Sequence, residues 1–471
     1  MRYLPQFRRA SATCVPMHRA HATNRFARVM MFVGAAVLFT ACGRQASPAR
    51  TASMQNPVVP LKTESEIREL DIEYFAQRAR RDPTGALDLA HLSALYLARG
   101  RESGDPRDAI LAEEAARQSI RNRKERNGAA SQVLETALLA QHRFDEALPL
   151  AIAARDADPQ NAGLRAALGD IQMEMGAYDS ARVSFAAVHA PVGDPATAPR
   201  LARWAEIEGQ PDKARRLLHA ALTTVQKLPE VPREQLAWYW LRIGDVELRT
   251  GHPVAADSAY RTGLAVHPDD YRLLAALAHS ALVQQDWKRA IALGERAIAV
   301  TLDPATLGIL SDAYAALGDS AKSADYAHVL DVAVLKQPGA YHRAWSLFLL
   351  DHDRHVSTVA RKIEQELHTR KDIYAYDLLA WSLHKQGRDV QAAAAMQVAL
   401  KEGTQDAQLF YHSGMIEHAL GHDDIARAQL TRALAINAYF HPVQPAVARA
   451  TLAGLPPAAR TVATTVGVRQ P

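Results

Sequence analysis

The chain has 471 residues, of which 48% are hydrophobic and only 6% aromatic, and its formal net charge is +4. This length exceeds what one compact core usually supports, which favours a barrel or a repeat array. Six arginines among the first 41 residues account for the positive charge, because 49 basic and 51 acidic residues remain without them. This balance argues against a nucleic-acid-binding protein, which keeps a basic surplus on its folded part.

The first 41 residues predict a signal peptide. Arg25 and Arg28 precede the apolar stretch Val29–Ala41, which is too short to cross a bilayer comfortably but has the length of a signal-peptide core. The residues before Arg25 are long for such a peptide, so Met17 is an alternative start of translation. Beyond this region the sequence contains no apolar run of the ~20 residues that a membrane-spanning helix needs.

Small residues directly before Cys42 resemble the cleavage box of bacterial lipoproteins. The segment Leu38–Gly43 reads L-F-T-A-C-G, with Phe39 where that box usually carries leucine. The resemblance implies that Cys42 becomes an acylated N-terminus, and each buried CH₂ of an acyl chain contributes ~0.8 kcal/mol to anchoring. It also implies a lipid-anchored location in the bacterial cell envelope, on the outer membrane facing the periplasm, because aspartate does not follow the cysteine. An ordinary secretory signal and an uncleaved anchor are the alternatives.

Residues 42–61 are rich in Gln, Ser, Pro, Ala and Thr without helical periodicity, which predicts a flexible tether. Residues 62–127 predict a helix over Glu64–Arg80, with Thr63 as its N-cap, and then a degenerate repeat. We expect these helices to cap the array, because an end unit of a solenoid has a neighbour on one side only.

Beyond this cap, one pattern recurs at intervals of about 34 residues. A small residue inside a first helix lets a second helix approach it, and a glycine seven residues later ends the first helix in the left-handed conformation. The small position falls at Gly169, Ala202, Gly244, Ala278, Ser311, Ser346, Ala380 and Gly414, and Glu135 takes it in an earlier copy. The glycine seven residues later is present in six copies, as Gly176, Gly209, Gly251, Gly318, Gly387 and Gly421.

This pattern resembles the tetratricopeptide repeat over residues 128–228 and 229–438. The resemblance implies an all-α fold, a right-handed superhelical solenoid of about nine to ten antiparallel helix pairs, which acts as an interaction scaffold. An insertion around Leu222–Gln235 predicts either a longer helix or a break between two sub-arrays. The copy at Ser346 is weak unless its second helix shifts in register to place Ala360 inward. Residues 439–471 predict a last cap helix and a disordered tail.

The concave face of such a superhelix is lined by the first helices. Most candidates for the groove stand one or four places after the small residue, or three or six places before it, and Arg249 and Lys385 stand five places after it. The middle of the chain contributes Trp238, Leu241, Asp245, Arg249, Arg272 and His279. The C-terminal half contributes Arg343, Tyr374, Asp377, Trp381, His384, Lys385, Tyr411, Met415 and His418. Their aromatic and amphipathic character favours an extended peptide or a partner helix as ligand. Packing of repeat against repeat is the alternative role for each of them.

The sequence contains no phosphate-binding loop, nucleophile elbow or zinc-protease helix. We therefore predict no enzyme activity, cofactor or metal. The histidine-rich turns at 351–355 and 418–424 are explained by the preference of histidine for helix C-termini. The predicted function is a membrane-anchored scaffold that binds an unidentified partner protein or peptide. An accessory or assembly factor for an envelope enzyme or transport system is the alternative, followed by an enzyme with an unrecognised site.

Overall fold

The computed structural model describes residues 62–335 and 343–457, which belong to the compact unit Leu61–Pro471. The predicted signal peptide, Cys42, the tether and most of the C-terminal tail lie outside the described residues. Regular secondary structure in the described part is helical throughout. None of these helices is both long and apolar enough to cross a membrane.

Ten helix pairs follow one another along the described residues, preceded by one single helix and followed by another. In chain order the helices are α1 (Glu64–Arg81), α2 (Ala86–Ser103), α3 (Arg107–Asn122), α4 (Gly128–Ala140), α5 (Phe144–Ala157), α6 (Ala162–Glu174), α7 (Tyr178–Ala186), α8 (Ala198–Ile207), α9 (Pro211–Val225), α10 (Arg233–Arg249), α11 (Pro253–Val266), α12 (Tyr271–Val283), α13 (Trp287–Val300), α14 (Pro304–Ala316), α15 (Ser320–Leu335), α16 (Arg343–Asp351), α17 (Val356–Glu366), α18 (Ile373–His384), α19 (Asp389–Ala399), α20 (Ala407–Ala419), α21 (Asp423–Ile436) and α22 (Gln444–Gly454). In each pair, an even-numbered helix from α2 to α20 is the first helix, and the odd-numbered helix that follows it is the second. The predicted all-α solenoid of helix pairs is thereby confirmed.

The first helix begins at the N-cap that the sequence predicts. The Thr63 hydroxyl accepts a hydrogen bond from the Glu66 amide at 3.2 Å, and the Glu66 carboxylate accepts one from the Thr63 amide at 2.7 Å. This reciprocal arrangement satisfies two amides that a helix start would otherwise leave without partners. The helix then runs to Arg81, and its apolar side chains Ile67 and Leu70 remain about half exposed.

The small position inside the first helices is small because the second helix passes directly over it. A Cβ atom at Gly414 would lie 2.6 Å from the side chain of Leu430 on α21. At Gly244, an added Cβ would overlap the ring of Tyr260 on α11. These approaches agree with the packing that the repeat pattern predicts, since real Cβ atoms do not come so close to neighbours.

Two irregular copies of the repeat are accommodated without a break. The insertion around Leu222–Gln235 lengthens the adjoining helices, because α9 continues to Val225 and α10 begins at Arg233. In the weak copy, α17 buries Ala360 and Ile363, which is the shifted register. The array is therefore continuous across both sites.

The solenoid coils tightly enough for successive superhelical turns to touch. The connection after α6 meets the connection before α18, where the Lys371 amide donates a hydrogen bond to the Met175 carbonyl at 3.1 Å. Beside it, the Ile373 amide donates to the Tyr178 hydroxyl at 2.8 Å. These partners lie more than five helix pairs apart along the chain.

The same contact recurs at the next two pairs. The Thr404 hydroxyl donates to the Ile207 carbonyl at 2.6 Å, and the Asn437 side-chain amide donates to the Leu248 carbonyl at 2.9 Å. The donors in these bonds follow their acceptors by 197 and 189 residues. We call this row of contacts, from Met175 to Asn437, the seam. Because the seam joins consecutive turns, the first helices surround an internal space, which we call the lumen.

The N-terminal end of the solenoid is joined in the same way. The Thr301 hydroxyl donates to the Ser103 carbonyl at 2.6 Å, and a His267 ring nitrogen lies 3.2 Å from the Glu102 carboxylate. The C-terminal end of α2 thus meets the connections before α12 and α14, and the regular offset of about five pairs is maintained.

Candidate binding cavity inside the superhelix

Three adjoining cavities occupy the lumen, with volumes of about 670, 210 and 490 Å³. Arg343 lines all three of them. The middle cavity shares Arg249 and Asp406 with the largest one and shares His279 and Phe440 with the third. The cavities therefore adjoin one another in the lumen, and the two larger ones have the size of typical ligand sites in proteins.

The largest cavity is lined by five arginines, and we call it the arginine cavity. Helix α8 contributes two of them three residues apart, and α10 contributes two seven residues apart, so each pair lies on one helix face. The five residues are Arg200, Arg203, Arg242, Arg249 and Arg343.

A buried carboxylate orients the two arginines of α10. Both Arg242 and Arg249 form ion pairs with Glu206, and the bond from Arg242 is 2.9 Å long. Arg242 also pairs with Asp245 at 2.8 Å. The negative charge of Glu206 raises the pKa of Arg249, so its guanidinium stays charged in spite of its burial. One acid thus holds two guanidinium groups against the cavity wall.

Aromatic side chains lie between the arginines. The guanidinium of Arg343 lies 4.8 Å from the ring centroid of Tyr374, within the range of a cation–π contact. Burial raises the pKa of Tyr374 to about 12, so the phenol remains a neutral hydrogen-bonding group. Trp238 and Tyr239 of α10 contact each other edge to face at 5.1 Å. The wall therefore offers flat apolar faces together with charged donors.

A buried polar network supports Arg343 from beneath. The fully buried Asp377 accepts hydrogen bonds from Arg343 at 3.0 Å and from His412 at 2.6 Å. His412 stacks on Trp381 at 4.2 Å, and the Trp381 indole donates to Asp351 at 2.8 Å. Burial by itself would raise the pKa of the Asp377 carboxyl, but His412 and Arg343 lower it. Asp377 is therefore a carboxylate that fixes the position of Arg343.

The third cavity is more apolar, and we call it the histidine cavity. Helices α12, α14 and α16 and the loop before α22 supply apolar walls from Leu282, Ile309, Leu347, Phe348 and Phe440. Its polar groups include His279, His352 and His441, together with Arg343 and the carboxylates of Asp303, Asp312 and Asp351.

The pKa values of the imidazoles in the histidine cavity are shifted in different directions. Desolvation by the surrounding protein lowers the pKa of His279 and lowers that of His441 to about 3, so the His441 ring is neutral at physiological pH. A hydrogen bond to Asp312 at 2.8 Å raises the pKa of His352. Among the described residues, no group of three or more His, Cys, Asp or Glu side chains is arranged to hold a metal ion.

The structure brings six of the predicted groove residues together in the lumen: Trp238, Asp245, Arg249, His279, Arg343 and Tyr374. The others line none of the three cavities. Asp377, Trp381 and Tyr411 are buried in the core, and Leu241 and Met415 pack against it. Arg272 pairs with Asp270 at 2.7 Å and with Glu234 at 2.8 Å.

The remaining three predicted groove residues lie where first helices end. His384 bonds to Asp389 at 2.6 Å, Lys385 pairs with Asp353 at 3.0 Å, and His418 lies 3.7 Å from Asp423. In the histidine-rich turns, His355 lies 3.5 Å from Asp331 and His422 bonds to Glu417 at 2.6 Å. Each of these histidines thus has a local acidic partner.

Several lining residues were not predicted. Asp170, Arg203 and Glu206 stand one and four places after the small residues of their copies. These are two of the four positions that predict the groove, and we call this set of positions the groove rule. The three residues were missed because candidates were taken from the middle and the C-terminal half of the array. Arg200 and Arg242 stand two places before the small residues of their copies, a position that the rule does not include.

Family models of the tetratricopeptide repeat match residues 138–196 and 241–305. The chain contains tetratricopeptide repeats. No curated protein matches its sequence.

Two solved structures are similar to this chain at low identity. One is PilW, a widely conserved type IV pilus biogenesis factor, which is 15% identical over 45% of this chain and 96% of its own, with a TM-score of 0.38. The other is the APC/C hetero-tetramer Cut9–Hcn1, which is 12% identical over 82% of this chain and 94% of its own, with a TM-score of 0.32. Tetratricopeptide repeats bind partner proteins, so the chain is an interaction scaffold.

Proposed function

We propose that this scaffold binds an extended segment of a partner protein inside the lumen, and that a lipid on Cys42 holds it in the bacterial cell envelope. The observation that carries the first part is the continuity of the three cavities through Arg343. Helices of several pairs, from α6 to α20, contribute to that space. A segment lying along it would therefore contact many repeats at once, each through a few side chains.

The chemistry of the walls supports a protein segment as ligand. Arginine, tryptophan and tyrosine are the residues that most often carry binding energy at protein interfaces. Here Arg249, Arg343, Trp238 and Tyr374 lie on the same space and are held by their neighbours. A rigid wall of this kind loses little conformational entropy when a partner binds.

Site-specific photo-crosslinking tests binding in the lumen. A photoreactive benzoyl-phenylalanine at His279 lies on the lumen, and the same residue at Val254 lies exposed on the outer helix α11. We expect the His279 position to yield a discrete crosslinked partner in cells, and Trp238→Ala to weaken that band. Crosslinks from Val254 with none from His279 would place the interaction on the outer surface and refute the proposal.

The lipid anchor has a separate test. The residues L-F-T-A before Cys42 support acylation of that cysteine, and its acyl chains would hold the protein on a membrane. We expect Cys42→Ala to move the protein from the membrane fraction to the soluble fraction of the envelope. Continued membrane association of the variant would contradict the lipid anchor without affecting the proposal for the lumen.

A further inference from the structure

The loop between α21 and α22 forms part of the wall of the histidine cavity, and we call residues 438–443 the C-terminal loop. Phe440, His441 and Pro442 line this cavity, and Phe440 also lines the middle one. Gln285, in the turn after α12, donates a side-chain hydrogen bond to the Pro442 carbonyl at 3.3 Å. The C-terminal loop is therefore held against an earlier superhelical turn, and its position decides whether this side of the lumen is closed.

The ring of His441 caps the helix that follows the loop. Its Nδ1 atom accepts hydrogen bonds from the backbone amides of Val443 and Gln444, each at 3.2 Å. Helix α22 begins at Gln444, next to Pro445, and a helix leaves its first amides without acceptors of its own. A backbone amide only donates, and Nδ1 accepts only while it carries no proton. The cap therefore requires a neutral ring whose single proton is on Nε2.

The other side of the ring faces α16. The Nε2 atom of His441 lies 3.6 Å from a carboxylate oxygen of Asp351. The second oxygen of that carboxylate accepts hydrogen bonds from the Trp381 indole at 2.8 Å and from the Gln444 side chain at 3.1 Å. The His441 side chain is 21% exposed, so protons reach it from solvent. One ring thus joins the loop, the start of α22 and the end of α16.

The surroundings of His441 oppose a positive charge on its ring. The two amides at Nδ1 and the start of α22 present the positive ends of their dipoles to it. Desolvation by the surrounding protein and the imidazoles of His279, His352 and His412 lower the pKa of His441 from 6.5 to about 3. Asp351 is the acid at its side, and burial raises the pKa of that carboxyl, which weakens its attraction for a charged ring. The other titratable or charged groups around the cavity and the loop are Asp303, Asp312, Arg343, Tyr411 and Tyr439.

We propose that the C-terminal loop is an acid-sensitive gate of the lumen. When His441 takes up a proton from solvent, Nδ1 becomes a donor that faces two further donors, and the cap on α22 is lost. The loop then leaves the histidine cavity and takes Phe440 and Pro442 with it. Asn437 stays bound to the Leu248 carbonyl and is the hinge. The gate is a property of the folded chain, and only its effect on a bound partner rests on the proposed function.

Hydrogen exchange followed by mass spectrometry over residues 438–454 of the purified full chain tests the gate without a partner. The open loop binds a proton that the closed loop excludes, so opening becomes more frequent as the pH falls below 6.5. We expect the protection factors, corrected for the intrinsic exchange rate, to fall about tenfold between about pH 7 and about pH 5.5. Those of the outer helix α19 should stay constant. Unchanged protection of residues 438–454 over this range would overturn the gate.

Matched histidine variants identify the group that titrates. His441→Asn places a side-chain oxygen where Nδ1 lies and takes up no proton, so the protection should no longer depend on pH. His219→Asn makes the same change at an exposed position of α9 and should keep the pH dependence of the native chain. If protection fell as steeply in His441→Asn as in the native chain, another group would cause the opening, and the proposal would be wrong.

A third variant tests what holds the gate shut. Gln285→Ala removes the bond to the Pro442 carbonyl and should lower the protection about threefold to tenfold at both pH values. No change in this variant would mean that the loop is not held against the turn after α12, which contradicts a closed gate.

The gate and the proposed function can fail separately. Acid-dependent exchange in the absence of any crosslink from His279 would support the gate and refute binding in the lumen. Crosslinks from His279 together with pH-independent protection of residues 438–454 would retain the lumen as the binding site and overturn the gate.

Discussion

Six glycines occupy the same position of the repeat, but the structure gives them different surroundings. All six have positive φ, from 69° at Gly209 to 82° at Gly318. A Cβ atom at Gly318 would meet nothing within 4 Å. At Gly176 it would lie 2.7 Å from the Asp372 amide nitrogen, and nearer still to the Lys371 carbonyl across the seam. Replacement by alanine therefore separates the cost of backbone conformation from the cost of disturbing the seam.

The expected free energies follow from these surroundings. Gly318→Ala carries only the left-handed conformation, which costs a non-glycine residue about 1–2 kcal/mol. Gly176→Ala has the same cost and must also displace the connecting segment around Lys371. Opening the seam there removes the bonds from Lys371 to Met175 and from Ile373 to Tyr178, each contributing about 0.5–1.5 kcal/mol. We expect Gly176→Ala to lower the free energy of unfolding by about 1–3 kcal/mol more than Gly318→Ala.

The other glycines extend the comparison into a series. A Cβ at Gly209 would overlap the Gly403 carbonyl, and one at Gly251 would lie 3.0 Å from the Ile436 carbonyl. Gly387 and Gly421, like Gly318, have no atom within 4 Å of the added Cβ. The destabilisation should therefore be largest at the first seam positions, smaller at Gly251, and smallest at the open positions.

Urea unfolding followed by circular dichroism at the helix band measures this series. The midpoint and the slope should both be compared, because repeat arrays can unfold in more than one step. If all six alanine variants lose the same free energy within about 0.5 kcal/mol, the seam contributes no constraint at these glycines, and the reasoning is refuted.

Three further variants test single buried groups. Glu135 is 6% exposed, and burial raises the pKa of its carboxyl from 4.5 to about 7. The free energy of unfolding should therefore fall by up to ~3 kcal/mol as the pH rises from 4.5 to about 7. Glu135→Gln should abolish this fall in pH-dependent unfolding, and an unchanged profile would contradict it. Tyr178→Phe leaves the Ile373 amide without its acceptor and should cost about 1–2 kcal/mol in urea unfolding, whereas no loss would mean that the bond is not formed. Asp377→Asn leaves Arg343 and His412 without their shared carboxylate and should lower stability by about 3 kcal/mol in the same assay; a loss below ~1 kcal/mol would show that the buried charge is dispensable.

The repeats could be predicted from the sequence because their determinants are local. A small residue such as Gly414 and the bulky Leu430 that covers it are separated by less than one repeat. Helix starts are equally local, as the capping box at Thr63 shows. Such signals need only the spacing of residues along one or two helices.

The seam could not be predicted in this way. Its partners, such as Ile207 and Thr404, are 197 residues apart, and they meet only because small rotations between repeats add up over more than five pairs. The sequence pattern does not mark these positions, because each bond uses a backbone carbonyl or amide on one side, and the side chains on the other side, those of Tyr178, Thr404 and Asn437, differ from one contact to the next.

The groove rule predicted which helix face borders the groove but not how deeply each side chain on that face is buried. It selects Trp381 in one copy and Asp245 and His279 in others at the same position of the repeat. Asp245 and His279 border the lumen, whereas Trp381 is 4% exposed because His412 of the following copy covers it. Which side chain is covered depends on the next repeat, and the rule contains no information on that neighbour.

Hydrogen exchange at the seam tests most directly whether the solenoid closes on itself. The Lys371 amide lies in the connection before α18, and the Ile373 amide lies in the first turn of that helix, where no intrahelical acceptor exists. In the closed superhelix they bind the Met175 carbonyl and the Tyr178 hydroxyl, so both should exchange slowly, and faster in Gly176→Ala. Fast exchange of both amides in the native chain, at the rate of an exposed loop, would contradict the closed superhelix and the enclosed lumen that depends on it.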